Sequence, residues 1–208
     1  MTGVQTCALP IYAVVGLGHI AQAAVLPAFR HARTNSQLNA LVSGSRLRLS
    51  KLSRTYGVKH TYHYDRYNDC LESGEVDAVY LALPNHLHKR YASAALQKGI
   101  HVLCEKPLSL TGSDCKAILR AAEKGGAKLM VAYRLHFDEA NLNLISLGQS
   151  RRLGDLRIGH SLFTQQVREG DTRLDPRVGG GPLPDIGIYC INAARYLFQA
   201  EPDRKSVV

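Results

Sequence analysis

The sequence predicts an α/β fold, a Rossmann-type doubly wound parallel sheet, and three observations predict it. Short apolar runs alternate with helical stretches, the signature of βαβ units. The runs are apolar throughout, as strands buried on both faces are. The first run ends in Gly16-Leu17-Gly18-His19-Ile20-Ala21, a G-x-G-x-x-G/A turn between a strand and a helix.

Each element follows from local pattern. Tyr12–Gly16 is a buried strand, followed by a helix over roughly Ile20–His31. Leu38–Ser43 is a second strand. Arg46–Tyr56 is helical, with Leu49, Leu52 and Tyr56 on one side. Val76–Leu83 is a strand stopped by Pro84. Leu87, Tyr91, Ala94 and Ala95 then show helix spacing, and Gly99 stands where a C-terminal cap belongs. Ile100–Cys104 is the next strand. Thr111 opens a helix whose apolar face reads Cys115, Ile118, Leu119 and Ala122, and Lys128–Ala132 is one more strand. Near residue 150 the pattern changes. Leu156–Gln166 reads as a longer, more polar strand, Arg168–Gly181 as a loop, and Asp185–Leu197 as a helix. A lone strand and helix cannot bury a core of their own, so this second unit reads as the incomplete start of an α/β open-sheet domain.

Composition bounds the function. The chain has 208 residues, 45% hydrophobic and 21% charged, which is ordinary globular protein. A chain of this size buries roughly 70% of its unfolded surface. No apolar run approaches the roughly 20 residues that a membrane helix needs. Lys+Arg 26 against Asp+Glu 17 gives 26 − 17 = +9. The basic residues are dispersed and carry no nucleic-acid motif, so nucleic acid is not an expected partner. Cys7, Cys70, Cys104, Cys115 and Cys190 are scattered, with no Cys-x-x-Cys. That argues against a zinc ribbon or a disulfide framework and for a reducing compartment. No metal site is expected.

The two ends read differently from the middle. Residues 1–11 (Met-Thr-Gly-Val-Gln-Thr-Cys-Ala-Leu-Pro-Ile) and 203–208 (Asp-Arg-Lys-Ser-Val-Val) look like in-frame translations of sequencing adapters. Both are expected to be non-native, flanking a clipped reading frame. The expected organisation is therefore tag 1–11, dinucleotide-binding domain 12–135, the start of a C-terminal domain 136–202, and tag 203–208. The trimmed core carries +8 and four Cys, since Asp203, Arg204 and Lys205 sum to +1 and Cys7 falls in the first tag.

The glycine loop carries the first chemistry. Gly16 makes the tight turn, Gly18 lets backbone approach a pyrophosphate, and Ala21 allows close helix packing. The helix N-terminus offers N–H groups to the phosphates. The end of the second strand sets cofactor type. A site for NAD places Asp or Glu there to bond the ribose 2′-hydroxyl. Here stand Ser43-Gly44-Ser45-Arg46, with Arg48 and Lys51 nearby and no carboxylate. A hydroxyl and a planar guanidinium fork suit a 2′-phosphate. The expected cofactor is NADP, with NAD as the alternative.

Further motifs carry a resemblance. Leu83-Pro84-Asn85-His86-Leu87-His88 ends one strand and Cys104-Glu105-Lys106-Pro107 the next; Asp185-Ile186-Gly187-Ile188-Tyr189 opens the late helix. With the glycine loop, and in this order, they resemble the glucose–fructose oxidoreductase/inositol dehydrogenase (Gfo/Idh/MocA) family across about residues 12–202. Tyr133-Arg134-Leu135-His136-Phe137-Asp138 adds likeness to the glucose–fructose oxidoreductase branch. The resemblance implies a hydride transfer between nicotinamide and a sugar or polyol carbon, and a homo-oligomer formed through the C-terminal sheet. It implies that Lys106 is the catalytic lysine and that Leu83, Pro84, Asn85, His88, Glu105 and Arg134 surround the nicotinamide ribose. It also implies Tyr189 as acid/base where many members have His, with Asp185 as its partner.

The residue types fit these roles. An alcohol proton must leave as the hydride does, which requires a positioned acid/base. The Lys106 cation can stabilise charge developing on the reacting oxygen. It can also lower the pKa of an adjacent tyrosine from its usual value near 10. Pro107 fixes the turn, and a cis Lys106–Pro107 bond would aim Lys106. Gly179-Gly180-Gly181 would let backbone pass close to cofactor or substrate. His136, Asp138, Arg173 and Arg177 are weaker candidates. Two other functions compete: a dihydrodiol- or anhydrosugar-type dehydrogenase on the same scaffold, and a non-catalytic dinucleotide-sensing regulator. The presence of Lys106, Asp185 and Tyr189 together favours the enzyme. The cytoplasm is the default compartment; the periplasm follows if an export signal preceded the chain.

Overall fold

A computed structural model describes residues 9–152 and 154–202. The chain divides into two compact units, the first ending at Ala132 and the second beginning at Tyr133.

The first unit is built on a six-stranded, wholly parallel sheet. Its strands are β1 (Ile11–Val15), β2 (Gln37–Val42), β3 (His60–Tyr62), β4 (Ala78–Leu81), β5 (His101–Cys104) and β6 (Leu129–Val131). Their order is β3-β2-β1-β4-β5-β6. The chain thus winds outward from β1 in one direction, returns, and winds out in the other. The reversal lies between β1 and β4, where such sheets leave a crevice at the carboxyl ends of their strands.

Period-two alternation splits the strand residues between two cores. Ala13 and Val15, with Val42, Val79, Leu81 and Val102, face one cluster; Val14 and Leu41 face the other. On the first face lie Tyr67 and Cys70 of α3 (Tyr67–Glu72), Tyr91, Ala92 and Leu96 of α4 (His88–Gln97), and Ile118 of α5 (Gly112–Gly125). On the second lie Val25, Leu26 of α1 (Leu26–His31), and Leu49 and Leu52 of α2 (Arg46–Tyr56). Both faces are covered, which is why the strands carry no polar alternation.

Helix ends follow side-chain chemistry. The Thr111 hydroxyl accepts the Asp114 N–H at 3.1 Å and starts α5, and Ser45 caps α2 by accepting the Arg48 N–H at 3.3 Å. Gly99 (φ +77°) takes the left-handed conformation just after α4. α4 and α5 pack so closely that a Cβ at Gly125 would lie 1.8 Å from the Leu96 carbonyl oxygen.

Several elements differ from expectation. The first helix begins with a π-wound turn, Ala21–Val25, before α1. Leu119 is 49% exposed; the buried stripe of α5 is Ile118, Ala121 and Ala122, at the i, i+3, i+4 spacing of one helix face. β3 and α3 carried no clear sequence signal. β1 starts at Ile11, whose N–H donates to the Asp77 carboxylate at 2.8 Å. Residues 1–8 and 203–208, read as tags, lie outside the described residues.

The second unit holds α6 (Glu139–Gln149) and α7 (Ile188–Phe198), with short 3-10 turns between them. α6 was not anticipated; Asp138 caps it by accepting the Asn141 N–H at 3.1 Å. The expected strand over Leu156–Gln166 does not form. A strand exists through ladder bonds to a neighbour, and no described residue pairs with this segment; Ile158 is 90% and Leu162 79% exposed. No helix among the described residues is long and apolar enough to cross a membrane.

Candidate functional site

The glycine loop sits on the reversal point of the sheet. The Gly16 N–H donates to the Val42 carbonyl at 2.9 Å, and the Ala82 N–H to the Val15 carbonyl at 2.8 Å. Gly16 has φ +93°, and a Cβ there would lie 2.3 Å from the Ala82 carbonyl oxygen. Its small size is therefore demanded by β1 and β4 themselves. Gly18 differs: a Cβ there meets nothing within 4 Å. Its lack of a side chain serves no contact within the fold and leaves open space above the first helical turn. His19 and Ile20 are exposed beside it. The Leu17 side chain is 1% exposed and part of the core. Only its backbone faces the loop, where its carbonyl accepts the Gln22 side-chain amide at 2.9 Å.

The end of β2 holds a braced turn. Ser43 is 3% exposed, and its hydroxyl accepts the Ser45 N–H at 3.2 Å. It braces the turn and has little surface to present to a phosphate. Gly44 and Arg46 are exposed, and Arg48 reaches back toward the Leu17 carbonyl at 3.5 Å. The Gly44 carbonyl lies 3.2 Å from His63 Nε2, and a Cβ at Gly44 would lie 3.0 Å from the Tyr64 ring. Burial raises the Tyr64 phenol above its usual pKa, with Tyr91 adding to the effect. Sequence reasoning missed His63 and Tyr64, because the three-residue β3 before them carries no usable periodicity.

The ends of β4 and β5 form the other side. Leu83 is buried, Pro84 exposed and Asn85 half-buried. Glu105 is half-buried and accepts the Tyr80 hydroxyl at 2.7 Å. Lys106 is half-buried, and the Lys106–Pro107 peptide is cis. His88, expected beside the ribose, opens α4. It is fully buried, with Nδ1 2.8 Å from the Pro107 carbonyl and Nε2 2.9 Å from the Leu83 carbonyl.

In the second unit, Asp185 lies in a π-wound turn, Leu183–Gly187, that leads into α7. Pro182 caps this turn and Pro184 sits in its first positions, where a missing N–H costs nothing. The three glycines serve the fold here. Gly179 and Gly181 have φ +87° and +132°, and a Cβ at Gly180 would lie 2.6 Å from the Thr172 and Arg173 carbonyl oxygens. Arg173 and Arg177 are each engaged by the aspartate two residues earlier. Arg173 donates to Asp171 at 3.1 and 2.8 Å, and Arg177 to Asp175 at 2.9 Å twice. The Tyr189 ring stands between Phe163, stacked at 5.5 Å, and Tyr133, edge-on at 5.8 Å. Tyr133 also stacks on His136 at 5.2 Å. Arg134 is exposed at the start of this unit. Of the expected catalytic residues, Lys106 belongs to the first unit, and Asp185 and Tyr189 to the second.

A parallel sheet ordered 3-2-1-4-5-6, with an open glycine loop at its reversal point, defines a dinucleotide-binding α/β protein. Comparison with known proteins narrows the class. Residues 11–133 match the model of the GFO/IDH/MocA oxidoreductase family, NAD-binding Rossmann fold, and residues 143–208 match the GFO/IDH/MocA C-terminal domain. The chain belongs to this family. It is 33% identical over 196 residues to D-xylose 1-dehydrogenase (NADP(+)) 2 of Haloferax volcanii, covering 93% of this chain and 58% of that protein. Among solved structures it resembles an aldose-aldose oxidoreductase from Caulobacter crescentus complexed with glycerol. There the TM-score is 0.84 at 36% identity, covering 96% of this chain and 63% of that one. It also resembles KijD10, a 3-ketoreductase from Actinomadura kijaniata in complex with NADP and TDP-benzene. That match has a TM-score of 0.79 at 29% identity, covering 93% and 58%. The chain thus spans a little over half the length of the curated relatives it matches.

Proposed function

We propose that this chain carries the cofactor half of an NADP-dependent oxidoreductase acting on a sugar or polyol. The observation that carries the reading is the pairing of an open Gly18 with a β2 end that offers Arg46 and Arg48 and no carboxylate. The space at Gly18 fits a pyrophosphate, and the guanidinium groups fit a 2′-phosphate. The NADP-linked relatives support the same choice.

In this reading the backbone of Gly16, Leu17 and Gly18, with His19 and Ile20, holds the pyrophosphate. Gly44 and Arg46, with Arg48, hold the 2′-phosphate, and Ser43 shapes their turn. Leu83, Pro84, Asn85, Glu105 and Lys106 border the nicotinamide end. NADP, when bound, supplies the hydride acceptor. The protein's own residues move the proton. Lys106 hydrogen-bonds the reacting oxygen and stabilises its negative charge. Within the second unit Tyr189 is the proton carrier, taking the hydroxyl proton in oxidation and returning it in reduction, with Asp185 as its partner.

Titration of the 208-residue chain with NADPH and NADH, followed by cofactor emission, tests the reading. Saturable binding that is tighter for NADPH is expected. No binding of either nucleotide refutes it, and tighter binding of NADH removes the 2′-phosphate assignment.

A further inference from the structure

We propose that His88 is a positioning residue that ties the Lys106–Pro107 segment to the end of β4 and so sets the nicotinamide end of the cofactor site. The inference rests on the NADP reading for its ligand, and on geometry for the tie itself.

His88 opens α4 and has no exposed surface. Its ring spans two chain segments that leave neighbouring strands. Nε2 is 2.9 Å from the Leu83 carbonyl, just after β4, and Nδ1 is 2.8 Å from the Pro107 carbonyl, just after β5. β4 and β5 are paired from Ala78↔His101 to Leu81↔Cys104, and the last ladder bond there runs from the Glu105 N–H to the Leu81 carbonyl at 3.0 Å. Beyond it no further backbone–backbone hydrogen bond joins the two segments among the described residues, and the imidazole lies between their carbonyls.

The chemistry of the link is specific. Both partners are carbonyl oxygens, so each ring nitrogen meets an acceptor. A neutral imidazole has one N–H and satisfies one carbonyl; the cation satisfies both. The neutral ring therefore donates to one carbonyl and packs against the other, and a phenyl ring of similar size donates to neither. Pro107 has no N–H, so its carbonyl is its one backbone handle. Lys106 precedes it, and Glu105 before that is held by the Tyr80 hydroxyl. Moving the Pro107 carbonyl therefore moves Lys106, while the adenosine side, built on β1 and β2, keeps its own braces at Gly16 and Ser43.

That asymmetry gives the test. The wild-type chain, His88→Phe and His88→Gln are titrated with NADP+ and with 2′,5′-ADP, which carries only the adenosine half. His88→Phe is expected to bind 2′,5′-ADP within about twofold of wild type and NADP+ about tenfold or more weakly, the scale of one buried hydrogen bond. His88→Gln, whose amide keeps N–H donors, is expected to recover part of the loss. Equal NADP+ affinity in wild type and His88→Phe overturns the proposal, as does an equal loss for both ligands. Hydrogen exchange decides the tie without any ligand. Faster exchange at residues 105–108 in His88→Gln than in wild type is expected, with no change at 16–21. Unchanged exchange at 105–108 overturns it, even if His88→Phe fails to fold. A wild-type chain that binds neither nucleotide sinks the NADP reading, and the exchange result then still decides the tie.

Discussion

Two glycines of one motif, two residues apart, should respond in opposite ways to the same change. Gly16→Ala forces a Cβ into a left-handed backbone at φ +93°, which costs about 1–2 kcal/mol. The new Cβ also stands 2.3 Å from the Ala82 oxygen and 2.8 Å from its carbonyl carbon, both backbone atoms that cannot swing away. Relief requires β1 and β4 to part where the Ala82 N–H donates to Val15, an overpacking cost of about 1–3 kcal/mol. The sum is about 2–5 kcal/mol, a large share of the roughly 5–15 kcal/mol that holds a domain. Gly18→Ala meets nothing within 4 Å and is not in the left-handed region. Its stability should stay within about 1 kcal/mol of wild type or rise slightly. Its added methyl group would instead intrude on the space assigned to pyrophosphate. Urea unfolding followed by circular dichroism measures the first effect, and NADPH titration the second. If Gly16→Ala unfolds at the wild-type midpoint, or if Gly18→Ala is as destabilised as Gly16→Ala, the division of labour between fold and ligand is wrong.

Three further outcomes follow from the geometry. Burial pushes the Cys70 thiol up to about 12 and raises Cys104 as well, whereas Cys115 and Cys190 are half-buried; native alkylation with iodoacetamide near pH 8, read by mass spectrometry, should mark Cys115 and Cys190 and spare the other two until denaturant is added. Burial holds the His88 pKa below its ordinary 6.5, outweighing the two carbonyls and Glu105 that favour the cation. The unfolded chain therefore binds this proton more readily, so the stability contributed by neutral His88 is complete above pH 6.5 and is lost as pH falls from there through the folded value; His88→Gln should show a flatter decline in urea midpoint between pH 7 and 5, and an identical decline would refute the assignment. Lys106→Ala in an active, longer form of the protein should lose turnover while still binding NADPH, and retained turnover would remove Lys106 from the mechanism.

Much of this was legible in the sequence where signals were local. The span of α2 follows from the Leu49, Leu52 and Tyr56 stripe, which lies within the helix itself. The order of the first unit follows from alternation of apolar runs and helices. β3 was not legible, because three residues give period-two patterning nothing to repeat. Leu156–Gln166 misled for the converse reason: a run of residues can propose a strand, but only a partner makes one. The site divided likewise. Gly16 and Gly18 look alike in a motif and separate only when Ala82 is placed against one and not the other. His88 reads from the resemblance as a residue beside the ribose, and only the positions of Leu83 and Pro107 reveal it as interior. The glycines before Asp185 pointed toward a ligand, whereas the atoms that exclude a side chain at Gly180 are the carbonyls of Thr172 and Arg173.

The twin aspartate–arginine forks carry a consequence for how the second unit acquires its form. Each aspartate accepts the N–H and grips the guanidinium of the residue two positions later. The Gly180 and Gly181 N–H groups then close onto the Asp175 and Arg173 carbonyls at 2.9 and 2.8 Å, and the Asp185 N–H onto Gly181 at 3.1 Å. Every one of these bonds links residues close along the chain. A segment written in such short-range contacts has little loop-closure entropy to overcome, and it can take shape before any distant strand arrives. The approach to Asp185 is in this sense self-templating: its curvature is encoded between Asp171 and Gly181, and does not wait for a sheet to impose it.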